Sequence, residues 1–398
     1  MQREKILLLT GSLGDGHIQA ANAIMEAAKL RCPEVEIISV DFMEWVHPQL
    51  HVVGQFCYLQ WVKNLPSMYG YFYRKTRSDN RWSILFKKIR SFRTYRMMEL
   101  LRSVEPTRVV STFPGAAAAM SFLRSTGLTD VPTATVITDY TDHSYWIHPF
   151  TDRYLVGADH VKDALLKYGV PGSQIEVTGI PIRQSFSRSY DRGELFKKYG
   201  LNPDKSVVLV MGGGCGLIGK SMLSQLQSGN LTEKVQYVIV CGRNKKLQMS
   251  LEEELLRMGD AEFNLHNFRI TGYVNEVHEL MALADLIVTK PGGLTVSEAL
   301  SLELPMLLFK PLPGQEQDNA AFLVGAGAAL EATNERELTG FLQQVLANGK
   351  HLIRMKEAAQ LISRKHSAAS AFEAIMGMEN LYIPTHKIDF PLDVAANT

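Results

Sequence analysis

Short strand-like runs alternate with helix-like runs through most of the chain, and this alternation limits the possible folds more than any other feature. The strand-like runs are continuous and rich in Val, Ile and Leu, as expected for parallel strands that are covered on both faces. We predict strands at Lys5–Leu9, Glu36–Val40, Arg108–Thr112, Thr133–Thr138, Arg153–Val156, Glu176–Thr178, Val207–Met211, Tyr237–Cys241, Phe268–Thr271, Leu286–Thr289 and Met306–Phe309. Helical patterns lie between them, for example at Ile18–Leu30, His160–Tyr168, Val274–Ala284 and Thr295–Leu302. Alternating strands and helices predict doubly wound α/β layers.

The alternation restarts after the segment Gly179–Arg183, which indicates two similar domains. A polar, helix-like linker extends from there to Asn202, and a new strand then leads into the glycines at 212–214. We therefore predict a first Rossmann-like domain over 1–183 and a second over 184–366. Residues 367–398 are predicted to form a helix that returns to the first domain, followed by a tail.

Composition excludes several classes of protein. The chain of 398 residues is long enough for two hydrophobic cores, and its formal net charge of +1 is not that of a nucleic-acid polycation. The four cysteines are scattered, with no Cys/His cluster at metal-ligand spacing. No run of about 18 apolar residues occurs, and the N-terminal apolar run is too short for a signal peptide. These features predict a cytoplasmic protein with reduced thiols and at most peripheral membrane contacts.

One insertion, at 42–107, interrupts the alternation in the first domain. Its first part is rich in aromatic residues, and its second part, Arg74–Arg102, contains ten Lys or Arg against two acids. The net charge of that second part is +8, which leaves −7 for the rest of the chain. Apolar residues recur within it at helical spacing, at Trp82, Leu85, Phe86, Ile89 and Phe92. Positive charge is thus concentrated in one amphipathic segment.

The first glycine motif, Thr10–His17, follows a predicted strand and precedes a predicted helix. Gly14 and Gly16 allow the backbone to approach a ligand closely, and the start of a helix favours an anion. The motif is neither GxGxxG nor a P-loop. His17 lies at the helix start, where the helix dipole favours the neutral imidazole that a general base requires. The alternative is that His17 only caps the helix or contacts a neighbouring loop.

A second glycine motif, Val210–Gly216, follows the first strand of the second domain. Glycines after a strand, here including Gly213, can form a backbone nest for phosphate oxygens. A plain tight turn is the alternative.

The third motif extends from Thr289 to Ala321 and places a strand, a glycine turn, a helix, a strand and a polar loop in order. Gly292 and Gly293 can present backbone N–H groups to a diphosphate at a helix start. Glu298, one turn further, can accept both hydroxyls of a ribose, and Gln315 and Glu316 offer groups that bind sugar hydroxyls. The alternatives are an acid that stabilises the helix dipole and an ordinary solvated turn.

These motifs together resemble those of the inverting GT-B glycosyltransferases, in the branch that contains bacterial processive diacylglycerol glucosyltransferases and plant monogalactosyldiacylglycerol synthases. The combination TKPGG, SEA and KPLPGQE is specific for this branch, whereas the loop 212–216 is richer in glycine than expected. The resemblance implies the α/β GT-B fold, with two Rossmann-like doubly wound domains and a cleft between them. It covers nearly the whole chain and is carried by Gly11–His17, Ile137–Tyr140, Trp146–Pro149, Thr178–Arg183, Thr289–Ala299 and Lys310–Ala320.

The resemblance also implies a role for each motif residue. His17 would be the general base, and Asp139 is a second candidate for acid–base or acceptor-orienting work. Gly14 and Gly16 would face the reacting centre. The donor would be held by the backbone of Tyr273 and Val274 at uracil, by Glu298 at ribose, by Gly292, Gly293 and the Gly213 loop at the phosphates, and by Gln315 and Glu316 at the sugar.

The implied reaction is inverting transfer of a hexose from a UDP-sugar to diacylglycerol or a glycosyldiacylglycerol. No DxD motif occurs, so we expect neither a metal nor another cofactor. A lipid acceptor stays in the bilayer, and Arg74–Arg102 is therefore predicted to bind an anionic membrane surface at the cytoplasmic face. A solvated helix packed through its apolar side is the alternative for this segment, and nucleic-acid binding is not predicted.

The sequence leaves the donor sugar open. UDP-glucose is the leading candidate, and UDP-galactose or UDP-N-acetylglucosamine are the alternatives within the same class. A UDP-sugar-binding regulatory protein is the alternative from a different class.

Overall fold

Two parallel sheets of six strands each form the framework of the protein. The computed structural model describes residues 4–12, 14–49, 51, 54, 60–61, 64–77, 94–212, 234–258, 265–347 and 349–378. The first sheet comprises β1 (Lys5–Thr10), β2 (Glu36–Asp41), β3 (Arg108–Ser111), β4 (Thr133–Val136), β5 (Arg153–Val156) and β6 (Ile175–Val177). The second comprises β7 (Ser206–Met211), β8 (Val235–Val240), β9 (Phe268–Thr271), β10 (Leu286–Thr289), β11 (Met306–Phe309) and β12 (Ala329–Ala332).

Helices connect the strands and cover both sheets. In the first half of the chain they are α1 (Asp15–Arg31), α2 (Phe42–Val46), α3 (Pro66–Thr76), α4 (Thr94–Val104), α5 (Pro114–Ser125), α6 (Asp159–Lys167) and α7 (Arg192–Tyr199). In the second half they are α8 (Lys245–Met258), α9 (Val277–Leu283), α10 (Gly293–Ser301), α11 (Gln315–Gly325), α12 (Glu335–Ala347), α13 (Gly349–Ile362) and α14 (Ser367–Met376). The predicted alternation of strands and helices is confirmed.

The strand order of each sheet places a crevice at its carboxyl edge. The orders are β2-β1-β3-β4-β5-β6 and β12-β11-β10-β7-β8-β9. In the first sheet the chain continues from β1 to one side and then crosses to β3 on the other, and in the second it does the same around β7. Ligands of open α/β sheets bind at such switch points, outside the carboxyl ends of the strands.

Both faces of the central strands are apolar, which explains why their sequences are continuous apolar runs. In β1, Ile6 and Leu8 belong to a core cluster with α1 and α14, whereas Leu7 and Leu9 belong to a cluster with α4 and α5. All four side chains are fully buried. Successive side chains of a strand point to opposite faces of the sheet. A strand that is buried on both faces therefore has apolar residues at nearly every position.

The last described helix, α14, packs on the first domain. Ala371, Phe372 and Ile375 are buried in the cluster that contains α1, and Arg31 of α1 pairs with Glu373. The chain therefore crosses back after the second domain, as the sequence predicts. The predicted tail lies outside the described residues from 379 onward.

The insertion is described only in part. Its described helices are α2, α3 and α4, and the predicted apolar stripe from Trp82 to Phe92 lies outside the described residues. Within the described parts of the chain, none of the helices combines the length and apolar character needed to cross a bilayer.

Candidate functional site

Thr138, just after β4, is the point where the two carboxyl edges meet. Its hydroxyl lies 3.0 Å from Nδ1 of His17 in the first turn of α1. Its carbonyl oxygen lies so close to Gly293 of the second domain that a Cβ on that glycine would overlap it. The predicted base and the predicted diphosphate turn are therefore on either side of a single residue.

His17 is held among aromatic rings and threonines. Phe113 lies edge-on at 5.5 Å between ring centroids, and Trp146 lies at 6.0 Å. Thr112 donates its hydroxyl to the backbone carbonyl of His17 at 2.9 Å, and its own backbone forms a hydrogen bond with the imidazole. These contacts fix the ring at the crevice between β1 and β3.

Burial lowers the pKa of His17 to about 4, and the hydrogen bond with Thr112 and the charge of Asp41 oppose this shift only in part. The imidazole is therefore neutral near pH 7 and able to accept a proton. The direction agrees with the sequence-based expectation. The main cause is burial, whereas the expectation relied on the helix dipole.

The glycine turn before His17 is open on the side of the crevice. Gly14 has φ of 136°, a conformation that L side chains rarely adopt, and precedes the first residue of α1. A Cβ on Gly14 or on Gly16 would meet no heavy atom within 4 Å. By contrast, Gly11 is packed against the ring of Phe113. Gly14 and Gly16, which were predicted to face the reacting centre, therefore both have open space beside them.

Asp139 joins the two domains. Its carboxylate accepts hydrogen bonds from the backbone of Gly293 and, at 3.0 Å, from the side chain of Asn319. The pKa of Asp139 is raised to about 7, mainly by burial and also by the carboxylates of Glu316 and Asp318, against the lowering effect of the hydrogen bond from Asn319. Asp139 thus occupies the N-terminus of α10, a position that favours negative charge.

Gly292 and Gly293 differ in their surroundings. A Cβ on Gly292 would meet no heavy atom within 4 Å, whereas Gly293 is covered by Thr138 and Asp139. The N–H of Gly293 donates to Asp139 rather than to open space. The N–H of Gly292 donates to the carbonyl of Lys290 at 2.9 Å, so both predicted phosphate contacts are hydrogen-bonded within the protein, although the surroundings of Gly292 are open.

Glu298 is buried in the second turn of α10, since the helix begins at Gly293. It is therefore not a first-turn acid, which removes one alternative role considered for it. Burial raises the pKa of Glu298 to about 8, and the positive charge of Arg183 in the linker opposes the shift. Buried carboxyl groups with a raised pKa are typical of functional sites, which makes Glu298 a candidate binding residue.

The predicted uracil contacts lie at the end of β9. Tyr273 is largely exposed, and the guanidinium of Arg243 lies 5.1 Å from the centroid of its ring. Arg243 follows β8, the neighbouring strand, and was not predicted from the sequence. The Tyr273–Val274 backbone and Arg243 therefore lie together beyond the carboxyl ends of β9 and β8.

Gln315 and Glu316 begin α11, after a tight turn at Gly314 with φ of 110°. Oε1 of Gln315 accepts a hydrogen bond of 2.7 Å from the hydroxyl of Tyr69, which belongs to α3 in the insertion. Oε2 of Glu316 accepts from the backbone N of Leu312 at 2.7 Å, and burial raises the pKa of Glu316. Both side chains are therefore fixed by the protein before any ligand is present.

Sequence reasoning missed several residues of this site. Four of them directly contact a predicted site residue: Thr138, Asn319, Tyr69 and Arg243. The fifth, Asp318, accepts a hydrogen bond from Thr141. Thr138 and Asn319 lie within motifs that were recognised, so their presence there was the one signal available. The predicted contact Gly213 lies outside the described residues.

Two family models cover most of the chain. The model for monogalactosyldiacylglycerol (MGDG) synthase matches residues 17–182, and the model for the glycosyltransferase family 28 C-terminal domain matches residues 207–376. A processive diacylglycerol beta-glucosyltransferase of Bacillus cereus is 33% identical over 390 residues, which are 97% of this chain and 96% of that relative. A protein of the same name from Bacillus mycoides matches with the same identity and coverage.

Solved structures with low sequence identity share the fold. MurG of Acinetobacter baumannii superposes with a TM-score of 0.56 at 14% identity, over 94% of this chain and 100% of that one. A putative UDP-N-acetylglucosamine 2-epimerase of Listeria monocytogenes gives a TM-score of 0.61 at 16% identity, over 94% and 96%. Anabaena HepE in complex with UDP gives 0.55 at 14%, over 94% and 97%. The predicted two-domain GT-B fold is confirmed.

Proposed function

We propose a function on the premise that the chain belongs to the family of processive diacylglycerol β-glucosyltransferases, within glycosyltransferase family 28. The protein transfers a hexose, with glucose as the leading candidate, from a UDP-sugar to a hydroxyl of diacylglycerol or a glycosyldiacylglycerol. The configuration at the anomeric carbon is inverted. The products are membrane glycolipids.

One observation carries this proposal more than any other. Thr138 contacts His17 through its hydroxyl and Gly293 through its carbonyl, so the base and the donor turn are joined across the domain boundary. Catalysis of a transfer between two substrates requires both to be held at one place in near-attack geometry. A binding protein for a single nucleotide sugar has no need of a neutral imidazole at that place.

The chemical step uses His17 as general base. With Nδ1 held by Thr138, Nε2 takes the proton of the acceptor hydroxyl as its oxygen attacks the anomeric carbon. The bond from that carbon to the UDP oxygen breaks in the same displacement. A neutral imidazole is the form that the lowered pKa provides.

Backbone amides stabilise the departing diphosphate. The start of α1 after Gly14 presents positively polarised N–H groups at a helix end, and the open turn at Gly292 leads into the N-terminus of α10. We expect transfer without a metal ion. Turnover that persists at an unchanged rate after exhaustive chelation with EDTA supports this expectation, and loss of turnover that Mg²⁺ or Mn²⁺ restores contradicts it.

The acceptor is reached at a membrane surface. Large apolar side chains are exposed on and near α3 and at the start of α4, at Leu65, Met68, Tyr71, Phe72 and Tyr95. Four of them precede the segment Arg74–Arg102, which has a net charge of +8, and Tyr95 lies within it. Exposed apolar side chains beside basic ones are typical of peripheral binding to anionic bilayers, here at the cytoplasmic face.

Liposome flotation tests the membrane proposal. Binding should increase with the fraction of anionic lipid and fall as salt rises, because each basic residue near the surface contributes about 1 kcal/mol. Binding that depends neither on the fraction of anionic lipid nor on the salt concentration would contradict an electrostatic anchor.

Mass spectrometry of lipid products tests the transfer itself. The purified protein is given diacylglycerol in anionic vesicles with UDP-glucose, UDP-galactose and UDP-N-acetylglucosamine in competition. Predominant glucosyldiacylglycerol supports the proposal, and a different hexosyl product corrects the donor. UDP-sugar binding without any glycolipid, across several lipid acceptors, favours a regulatory protein instead.

A further inference from the structure

One face of α3 contacts the loop that carries the predicted donor-sugar residues. Tyr69, Tyr73 and Arg77 are spaced four residues apart and therefore share that face. Tyr69 donates to Oε1 of Gln315 at 2.7 Å, and Tyr73 donates to Oδ2 of Asp318 at 3.1 Å. Arg77 pairs with Oδ1 of Asp318 at 2.8 Å. We call these three residues the α3 stripe.

Glycines on both sides permit this close approach. A Cβ on Gly70 of α3 would overlap Cβ of Pro313 in the loop. A Cβ on Gly314 would lie 3.0 Å from the ring of Tyr69 and 3.3 Å from that of Tyr73. The backbone of Gly70 is thus packed against the Pro313 side chain, and the backbone of Gly314 against the rings of Tyr69 and Tyr73.

The first domain holds the α3 stripe in place independently. Nε2 of His143 lies 2.9 Å from the carbonyl of Tyr73, and Nδ1 of His143 accepts from the backbone of Tyr145. Burial lowers the pKa of His143 to about 4, so the ring stays neutral and donates to Tyr73. Arg77 also pairs with Asp142 at 2.5 Å. The stripe is therefore a fixed part of the first domain.

We infer that Tyr69 is a positioning residue for donor-sugar recognition, acting through Gln315 from the opposite domain. This inference rests on the proposed role of Gln315. An amide has a carbonyl oxygen and an NH₂ group, and the two ends can exchange by rotation. Because Tyr69 donates to Oε1, the NH₂ group of Gln315 points away from α3 and presents its donors to a sugar hydroxyl.

The hydroxyl of Tyr69 therefore determines how Gln315 discriminates between sugars. Hexoses such as glucose and galactose differ in the orientation of one hydroxyl, and an oriented donor separates them better than a freely rotating one. The residue that orients Gln315 comes from the insertion, which also carries the proposed membrane segment. Donor selection is thus complete only when the two domains are closed.

Kinetics of two matched variants test the inference. Tyr69→Phe removes only the hydroxyl, and we expect KM for UDP-glucose to rise about fivefold, the effect of one lost hydrogen bond. The preference for UDP-glucose over UDP-galactose should fall, while the Kd for UDP stays unchanged. Tyr190→Phe is the control, because it removes a hydroxyl of the linker that donates to the carbonyl of Ser185, and it should change none of these quantities.

A double-mutant cycle separates this inference from the proposed function. In a Gln315→Ala background, Tyr69→Phe should have no further effect on KM or on sugar preference. If Gln315→Ala leaves sugar preference intact, the proposed role of Gln315 is wrong. If Gln315→Ala changes the preference and Tyr69→Phe does not, the inference alone is overturned. Equal weakening of UDP and UDP-glucose binding by Tyr69→Phe also overturns it, because that pattern indicates a general structural role.

Discussion

Nδ1 of His17 lies 3.0 Å from the hydroxyl of Thr138, whose carbonyl is packed against Gly293 of the other domain. The position of the proposed base therefore depends on a residue that also contacts the donor domain. Any separation of the two domains would break the contact between Thr138 and Gly293. The geometry couples donor binding to placement of the base without a dedicated linker.

Protonation of His17 should produce no inflection in the pH dependence of the reaction at the ordinary pKa of histidine. Burial lowers the pKa of His17 to about 4, so the imidazole remains neutral well below pH 6.5. The constant kcat/KM reports ionisations of the free enzyme. We expect protonation of His17 to lower it only at about pH 4 to 5. An acid limb with a midpoint near about pH 6.5 that disappears in His17→Gln would contradict the proposed environment of this residue.

Asp139 should make the protein less stable as pH rises. Its folded-state pKa of about 7 is above the ordinary value of 3.8, so between these two values the folded protein binds a proton that the unfolded chain has released. Stability from this group is fully present below about pH 4 and is lost as pH rises through 7. Asp139→Asn keeps an acceptor for Asn319 and removes the titration.

Urea denaturation at a series of pH values measures this effect. The variant Asp139→Asn should match the wild type near about pH 4 and exceed its free energy of unfolding by about 4 kcal/mol above pH 8. A constant difference between the two proteins across this range would show that Asp139 does not titrate as the structure indicates.

Substitutions at Glu298 and Gln315 should affect binding of different parts of the donor, the nucleotide and the sugar respectively. If Glu298 holds the ribose as proposed, Glu298→Ala loses two hydrogen bonds and should weaken binding of both UDP and UDP-glucose about 10- to 100-fold. Loss of the sugar contact in Gln315→Ala should weaken UDP-glucose alone. Isothermal titration with both ligands distinguishes these patterns, and weaker UDP binding by Gln315→Ala would place that residue elsewhere in the donor site.

Asn319 should be among the most sensitive positions for stability. Its fully buried amide donates to Asp139 and to the carbonyl of Pro291 at 2.8 Å, and it accepts from the backbone of Tyr140 at 2.7 Å. Asn319→Ala leaves these groups without partners, and we expect the free energy of unfolding to fall by about 2 to 4 kcal/mol. Asn64→Ala, whose exposed side chain contacts only Gln60 among the described residues, is the control and should change it by less than about 0.5 kcal/mol.

Much of the fold could be predicted from local sequence patterns. Eleven of the twelve strands were predicted, because buried parallel strands are short apolar runs. β12, with the sequence ALEA, was missed because alanine and glutamate favour helix and the strand lies at the sheet edge. Helix α10 begins two residues before the predicted start, since the turn glycine itself enters the helix.

Residues of the candidate site could be proposed from the sequence when they lie within one recognisable motif. Contacts between segments that are distant in the sequence could not. His17, Glu298 and Gln315 are recognisable by residue type and position after a strand. The contact of Tyr69 with Gln315 joins residues 246 positions apart, and no local pattern specifies such a pair. The effect of burial on the pKa of Asp139 likewise depends on how the two domains pack.

In the proposed mechanism, His17 removes a proton from a diacylglycerol hydroxyl during transfer from a UDP-sugar. The most direct measurement is the initial rate of glucosyldiacylglycerol formation by the wild type and by His17→Ala, with UDP-glucose affinity determined on the same samples. His266→Ala, an exposed histidine of the second domain, serves as the control. We predict that His17→Ala lowers the rate by a factor of about 100 to 10,000 while donor affinity stays nearly unchanged. A His17→Ala protein that forms glycolipid at the wild-type rate would contradict the account.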